Sequence, residues 1–253
     1  MNATASPNLI TKTLAYHLYQ EFMLRWRFKY VLPKVKEITL DGLRLDVSAL
    51  SPKIRNRLMT AGYEAHEKHM CADFLTKDDS ILEIGAAIGF IGLFCQKRLG
   101  IKNYICFEAN PYTVDILKRN YDLNGVKPNV YNMALAHAEG TVDLEVGTDF
   151  WENSIVSNNP SSRGRKTVAV QAAPLPALFA KAAFKPNVLI IDIEGAEQFI
   201  DFNQIPAQVN KVIIELHPKV IGQEVTYNIV ATMIQLGFRV AREEEGTFVF
   251  LRK

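Results

Sequence analysis

The sequence has no cysteine pair to work with. Its three cysteines, Cys71, Cys95 and Cys106, are odd in number, widely spaced and set in apolar surroundings, without a C-x-x-C among them. That excludes a disulfide framework and a dithiol or zinc motif, and it fits buried free thiols in a reducing compartment. No apolar run approaches the length of a membrane span. Residues Met1 to Pro7 carry no charged stretch followed by an apolar core, so no secretion signal is expected and the expected location is cytoplasmic. Neither charge dominates: 29 Lys and Arg against 27 Asp and Glu leave +2, too little to imply nucleic-acid binding. What the chain does have is apolar material, 48% of 253 residues, ample for a folded core.

No internal repeat or low-complexity linker divides the chain. Residues 1–50 read as an N-terminal helix and β-hairpin extension, and 51–253 as one α/β domain. Within the extension, Ile10, Leu14, Leu18, Phe22, Trp26 and Tyr30 keep helical spacing over 9–32, and Arg25, Arg27, Lys29, Lys34 and Lys36 make its end basic. Two readings are open for this helix: contact with an anionic surface such as a membrane, or packing on the domain or on a second subunit of a homodimer. Lys36 to Val47 alternates around Asp41-Gly42, a hairpin signal. His66-Glu67-Lys68-His69 spaces its histidines three apart rather than four, which is not a zinc-protease motif but a solvated helix face.

The rest is organised around Ser80 to Leu93. An apolar run through Glu83-Ile84 breaks into Gly85-Ala86-Ala87-Ile88-Gly89, and helical spacing starts at Phe90. This is strand, tight turn, helix. Glycine at 85 and 89 permits close approach to a ligand, and the first N–H groups of the helix face the crevice. A second strand ends on Glu108, placed to hold a ribose diol. Glu83, just before the first glycine, suits S-adenosylmethionine, with its ammonium and sulfonium, better than a dinucleotide's pyrophosphate. Ala87 also departs from G-x-G-x-x-G.

Strands are expected at 80–84, 103–108, 129–133, 141–146, 167–172, 187–193, 210–216, 238–242 and 247–251, with helices at 90–99, 111–124, 175–183, 196–202 and 223–236. The alternation predicts a Rossmann-like, doubly wound, mostly parallel seven-stranded sheet closed by a C-terminal antiparallel hairpin. Strand ends then deliver residues to one crevice. Met133 and Ala134 offer a small apolar wall for an adenine ring. Four apolar residues run into Asp192-Ile193-Glu194-Gly195-Ala196-Glu197, whose first two acids converge on one spot. They can orient a hydroxyl, bond an amino group or hold a divalent metal; no metal is expected. Glu197 can instead serve the N-terminus of the next helix. Glu215 and His217 share a face of the following strand, and His217 is the first candidate for general base, Asp192 the second. The long aperiodic stretch from Gly147 to Lys166 suggests a substrate loop, in which Trp151 can stack on a sugar and Asn153, Arg163, Arg165 and Lys166 can meet a polar or acidic acceptor.

Glu83-Ile84-Gly85-Ala86-Ala87-Ile88-Gly89, Phe107-Glu108-Ala109-Asn110-Pro111, Met133-Ala134-Leu135, Asp192 to Glu197 and Ile214-Glu215-Leu216-His217-Pro218 together resemble the FkbM family of methyltransferases, in order and spacing, over roughly residues 60 to 252. Gly62-Tyr63-Glu64 resembles the segment before the glycine turn in many members. The resemblance implies a class I S-adenosylmethionine-dependent fold and, usually, O-methylation of a sugar, glycan, polyketide or related metabolite. It implies that Glu83, Gly85 and Gly89 line the methionine half of the cofactor, that Glu108 holds the ribose and that Ala134 touches adenine. Glu64, Ala86, Ala87, Phe90, Ala109, Asn110, Met133 and Asp192 join them as cofactor contacts, and Asp192 and Glu194 lie near the reacting methyl as catalytic candidates beside His217. Ala87 stands where many members carry glycine, and the first forty-odd residues match nothing in the pattern.

Two alternatives come from other classes. A nicotinamide oxidoreductase would need a catalytic Tyr-x-x-x-Lys, and the sequence holds that spacing only at Tyr30 to Lys34, upstream of the glycine turn and interrupted by Pro33. A non-catalytic nucleoside-binding protein would bind the cofactor and turn nothing over. Methylation of a base amine would place an Asn-Pro-Pro-Tyr-like run where Asp192-Ile193-Glu194-Gly195 stands.

Overall fold

Asp41 and Gly42, both at positive φ (50° and 75°), close the hairpin of β1 (Glu37–Leu40) and β2 (Leu43–Asp46). The computed structural model describes residues 19, 22–23, 25–60, 62–147, 154–155 (backbone) and 166–252. After the helices Pro52–Met59 and Ala65–Phe74 come β3 (Ser80–Ile84), β4 (Asn103–Glu108) and β5 (Val130–Asn132), linked by the helices Phe90–Lys97 and Pro111–Leu123. Next are β6 (Ala134–Leu135), β7 (Gly140–Val146), β8 (Ser154–Ile155) and β9 (Lys166–Ala173). The chain finishes with β10 (Val188–Ile191), β11 (Lys211–Glu215), β12 (Arg239–Glu244) and β13 (Thr247–Leu251), the helix Gln223–Gln235 lying between β11 and β12.

The large sheet has seven strands in the order β12-β13-β11-β10-β3-β4-β5. β11, β10, β3, β4 and β5 run parallel, and β13 and β12 add an antiparallel hairpin at the edge. This is the α/β, doubly wound arrangement expected. Alternate residues of the central strands go to opposite cores. Val188 and Ile190 pack with Ile81, Ile213 and Val249, whereas Leu189 and Ile191 pack with Leu82, Ile84, Phe107 and Ile214. Helices cover both faces, so these strands read as unbroken apolar runs. From β3 the chain moves outward through β4 to β5, then returns to β10 on β3's other side. The reversal between β3 and β10 is where such sheets open a crevice beyond the strands' carboxyl ends.

Several expected elements differ. The strands predicted at 141–146 and 167–172 do not join the large sheet. They become β7 and β9 of a second sheet, order β6-β9-β7-β8, because Leu144, Val170 and Ala172 bury one face around Ala134 in a core of their own. The strand expected over 129–133 stops at Asn132, and Ala134-Leu135 turns into that second sheet. The helix expected over 196–202 is two short 3₁₀ turns, Ala196–Phe199 and Phe202–Gln204. Of the N-terminal helix, the described part ends in a π turn, Arg27–Val31, and a 3₁₀ turn, Leu32–Lys34.

The hairpin shares a core with the glycine turn: Leu40, Leu43 and Leu45 pack with Ile88, Phe90 and Leu117. Asn120, fully buried, receives the Asp46 N–H at 2.6 Å and donates to Ile88 O at 2.8 Å, tying hairpin to turn. Buried Arg55 donates to the carbonyls of Leu32, Pro33, Val35, Ser48 and Leu50. Cys71, Cys95 and Cys106 are free and buried. Among the described residues no helix is long and apolar enough to cross a membrane.

Candidate active site

At the sheet reversal β3 and β10 leave almost no room between their ends. Gly85 has φ 89°, and a Cβ there would lie 1.6 Å from the Asp192 carbonyl oxygen. Two residues on, Ala87 holds φ 44° and donates its N–H to Glu108 Oε2 at 2.9 Å. Glu108 Oε1 accepts from Asn110 N at 2.8 Å, and Asn110 Oδ1 caps the next helix through Tyr112 N at 3.0 Å. One carboxylate therefore fixes the glycine turn and the start of a helix together. Burial pushes the Glu108 carboxyl up, the N–H donors of Asn110, Ala87 and Ala109 pull it back, and the balance is about 7.

Beyond this turn lies a cavity of about 460 Å³, within the usual range for small-molecule sites. Seven carboxylates line it, those of Glu64, Glu67, Glu108, Asp192, Glu194, Glu215 and Glu245, against the cationic or titratable groups of Arg57, His66 and His217. Met133, Ala134, Leu144 and Phe199 supply apolar wall. Four non-glycine lining residues, Glu64, Ala87, Glu194 and Glu245, sit in the left-handed region at φ 45°, 44°, 50° and 49°. Such strain costs roughly 1–3 kcal/mol per residue and concentrates at functional sites.

His217, just past β11, gathers four carboxylates. Its Nδ1 is 2.8 Å from Oε1 of Glu197, which has no solvent exposure, and Nε2 faces Glu194 Oε2 at 3.3 Å, Glu215 Oε1 at 3.6 Å and Asp192 Oδ1 at 3.8 Å. Burial alone would lower the imidazole's pKa. The Glu197 hydrogen bond and the charges of Asp192 and Glu194 outweigh it and raise the pKa to about 9. An imidazolium at neutral pH cannot take a proton, which argues against His217 as general base. Burial and Glu194 push Asp192 well above the usual carboxylate range, and its buried Oδ1 has no hydrogen-bond partner. Glu215, half-buried beside Glu67 and Asp192, is raised to about 10 by desolvation and by those carboxyls.

The expected site residues divide into three groups. Glu64, Gly85, Ala87, Glu108, Ala109, Met133, Ala134, Asp192, Glu194 and His217 line the one cavity. Glu83, Ala86, Gly89, Phe90 and Asn110 do not. Glu83 is buried beneath the turn, raised to about 8 by burial, so the charge assigned to it toward a cationic ligand is absent at neutral pH. Gly89 answers a packing need, since a Cβ there would meet Leu117 Cγ and Tyr121 Cε2 at 2.8 Å. Phe90 is a core residue with its ring 6.0 Å from that of Tyr63. Trp151, Asn153, Arg163 and Arg165 lie outside the described residues. Lys166 is engaged elsewhere, bonding the Tyr112 hydroxyl and sitting over that ring.

Glu67, Arg57 and Thr247 also line the cavity, and the sequence reading did not place them there. The one available signal was Glu67's place three residues after Glu64, on the same helical face. Glu197 does serve the Gly195 N–H, at 3.1 Å, but the same oxygen also anchors His217. Among the described residues two sets of side chains bring ligand atoms within 4.8 Å of one another and could hold a cation: Asp192 with Glu194 and His217, and Glu67 with Asp192 and Glu215.

A family model described as the methyltransferase FkbM domain matches residues 83–240. A candidate protein N5-glutamine methyltransferase of Methanocaldococcus jannaschii is 36% identical over 59 residues, 23% of this chain and 29% of that protein. The chain thus spans less than a third of that relative's length in the match. A solved FkbM methyltransferase of Methylobacillus flagellatus is similar at 14% identity and TM-score 0.45, covering 79% of this chain and 53% of its own. M. jannaschii TYW2, solved with AdoMet, is similar at 13% identity and TM-score 0.40, covering 87% of this chain and 88% of its own.

Proposed function

The chain belongs to the FkbM methyltransferase domain family, and from that premise we propose that it is an S-adenosylmethionine-dependent methyltransferase acting on a hydroxyl of a small molecule or glycan. The observation that carries the reading is the meeting of Gly85, Glu108 and Asp192 at one acidic cavity on the sheet reversal. The lining fits a cationic nucleoside donor. Glu108 would hold the ribose, Met133 and Ala134 the adenine, and Gly85, Ala87 and Glu64 the methionine end. Asp192 Oδ1, buried without a hydrogen-bond partner, is the kind of atom an acceptor hydroxyl satisfies. Bound in the cavity, the donor supplies a methyl already activated on a sulfonium.

The chain's own residues must then bind, orient, exclude water and move one proton. Alignment alone is worth roughly 7–11 kcal/mol of barrier when the geometry is right. An unactivated hydroxyl needs a base within hydrogen-bond reach. Asp192 takes that role: its Oδ1 has no hydrogen-bond partner, and burial and Glu194 raise its carboxyl above the usual range, which makes it the stronger base. His217, as a cation fixed by Glu197, holds the carboxylates of Asp192 and Glu194 together beside the acceptor. Carboxylates where base-amine enzymes carry an Asn-Pro-Pro-Tyr-like run support the hydroxyl over a base amine, and the acidic lining disfavours a nucleic acid.

Calorimetry with S-adenosylmethionine and with NAD(P) tests the donor, and mass spectrometry of extracts incubated with the methyl-labelled donor tests turnover. The reading expects micromolar binding of S-adenosylmethionine, none of NAD(P), and a labelled species whose methyl sits on oxygen. Binding without any labelled product would make the protein a non-catalytic nucleoside binder.

A further inference from the structure

The exposed aromatic stripe ahead of the hairpin has no part in the cavity. Tyr19, Phe22, Trp26 and Tyr30 are 61%, 64%, 45% and 49% exposed, and Met59 of a neighbouring helix, within reach of Arg27, is also exposed. Their spacing puts them along one helical face. Solvated singly, such residues mean little, but four exposed aromatics at this spacing, with the Trp26 and Tyr30 rings 6.5 Å apart, amount to an apolar patch. Between Phe22 and Lys36 the chain carries Arg25, Arg27, Lys29, Lys34 and Lys36 and not one acid. All but Arg27 are exposed, and Arg27 is half-buried. The Lys29 ammonium lies 5.1 Å from the centre of the Tyr30 ring.

We propose that this face docks on an anionic lipid surface, the aromatic rings entering the headgroup region and Lys29, Lys34 and Lys36 meeting lipid phosphates and carboxylates. Both halves of the pattern are needed. Interleaved Trp and Tyr suit the boundary between water and acyl chains, and a run of cations without acids suits a negative leaflet. The segment is also firmly mounted. Leu32 is fully buried just behind it, and Arg55 clamps the carbonyls of Leu32, Pro33 and Val35, so docking would fix the whole molecule. The helix that presents Met59 to this face also carries Arg57 to the cavity lining.

Cosedimentation of the full chain with vesicles tests the proposal, comparing pure phosphatidylcholine with a mixture holding roughly 30% phosphatidylserine. The expected result is binding about tenfold or more tighter to the anionic vesicles, weakening as salt shortens the screening length. Phe22→Ser with Trp26→Ser, and separately Lys29→Glu with Lys34→Glu, should each lower that affinity about tenfold. An unchanged melting temperature shows that the variants fold. No vesicle binding, equal affinity for both vesicles, or binding untouched by both variants overturns the proposal. A dimer that Phe22→Ser with Trp26→Ser dissolves, without vesicle affinity, overturns it in favour of a second copy of the chain.

Discussion

The Nδ1 of His217 donates to Oε1 of Glu197 at 2.8 Å, and that carboxylate has no exposure to water. A hydrogen bond from a buried carboxylate favours the charged form of the ring, so Glu197 keeps the imidazolium protonated. Glu197→Gln should therefore lower the His217 pKa by more than about one unit, read as the pH dependence of its ring nitrogen shifts by NMR. An unmoved titration would remove the pairing.

The same pair sets a pH dependence. His217 is raised from 6.5 to about 9 on folding, so the folded state binds more protons than the unfolded one between those values. The stability this confers is complete below pH 6.5 and is lost as pH rises through about 9. The raised carboxyls of the cluster act in the same direction, so the diagnostic is a difference: Glu197→Gln should lose less melting temperature between those pH limits than the parent chain does.

Asp192→Asn should cut turnover by about 10²–10⁴ while leaving S-adenosylmethionine affinity nearly unchanged, the range expected for losing a general base. His217→Gln should slow turnover with binding retained and, because it removes the cation between Asp192 and Glu194, shift the pH profile as well. The profile separates the two roles: a base leaves the rate without its acidic limb, a charge partner moves that limb. Turnover should also survive dialysis against a chelator, since His217 would have to lose its proton to join Asp192 and Glu194 around a cation, and Glu215, raised to about 10, would have to lose its own to join Glu67 and Asp192.

The large sheet was legible because β3 and β10, covered on both faces, write their burial as continuous apolar runs, each ending at a turn or an acid. The smaller sheet was not. β7 and β9 are one-sided strands whose alternation says strand but not which sheet. The acids after β10 and β11 could be placed at the crevice from topology alone, because strand ends of a parallel sheet share an edge. Glu83 and Gly89 belonged to the same motif yet serve the core: side chains near a tight turn point either to ligand or to neighbouring helix, and spacing does not say which. Glu197 was visible only as a possible helix partner, since its bond to His217 joins two strand ends twenty residues apart.

Ala87 offers a test of strain. It keeps φ 44°, a conformation costing an L-residue about 1–2 kcal/mol, while its N–H binds Glu108. Ala87→Gly removes that cost and adds about 0.5–1 kcal/mol of backbone entropy loss, a net gain of about 0.5 kcal/mol. Ala86→Gly, at an ordinary φ, carries only the loss. Opposite signs in denaturant midpoint are expected, and equal signs would deny the strain.

Gly85 and Glu108 should fail in different ways. Gly85→Ala would drive a methyl to 1.6 Å from the Asp192 carbonyl oxygen. Backbone, unlike a side-chain tip, cannot swing aside, so β3 and β10 must part at a cost of about 3 kcal/mol or more. The melting temperature should fall and donor binding go with it. Glu108→Ala loses the carboxylate that binds Ala87 N and Asn110 N, but the void it leaves opens onto the cavity. Donor affinity should drop about ten- to a hundredfold, the worth of a charged hydrogen-bonding partner, while the fold persists. Glu108→Gln separates charge from geometry. It keeps one acceptor for the turn, so near-parental stability with weakened donor binding would assign the carboxylate to the ligand, and parental affinity would assign it to the turn alone.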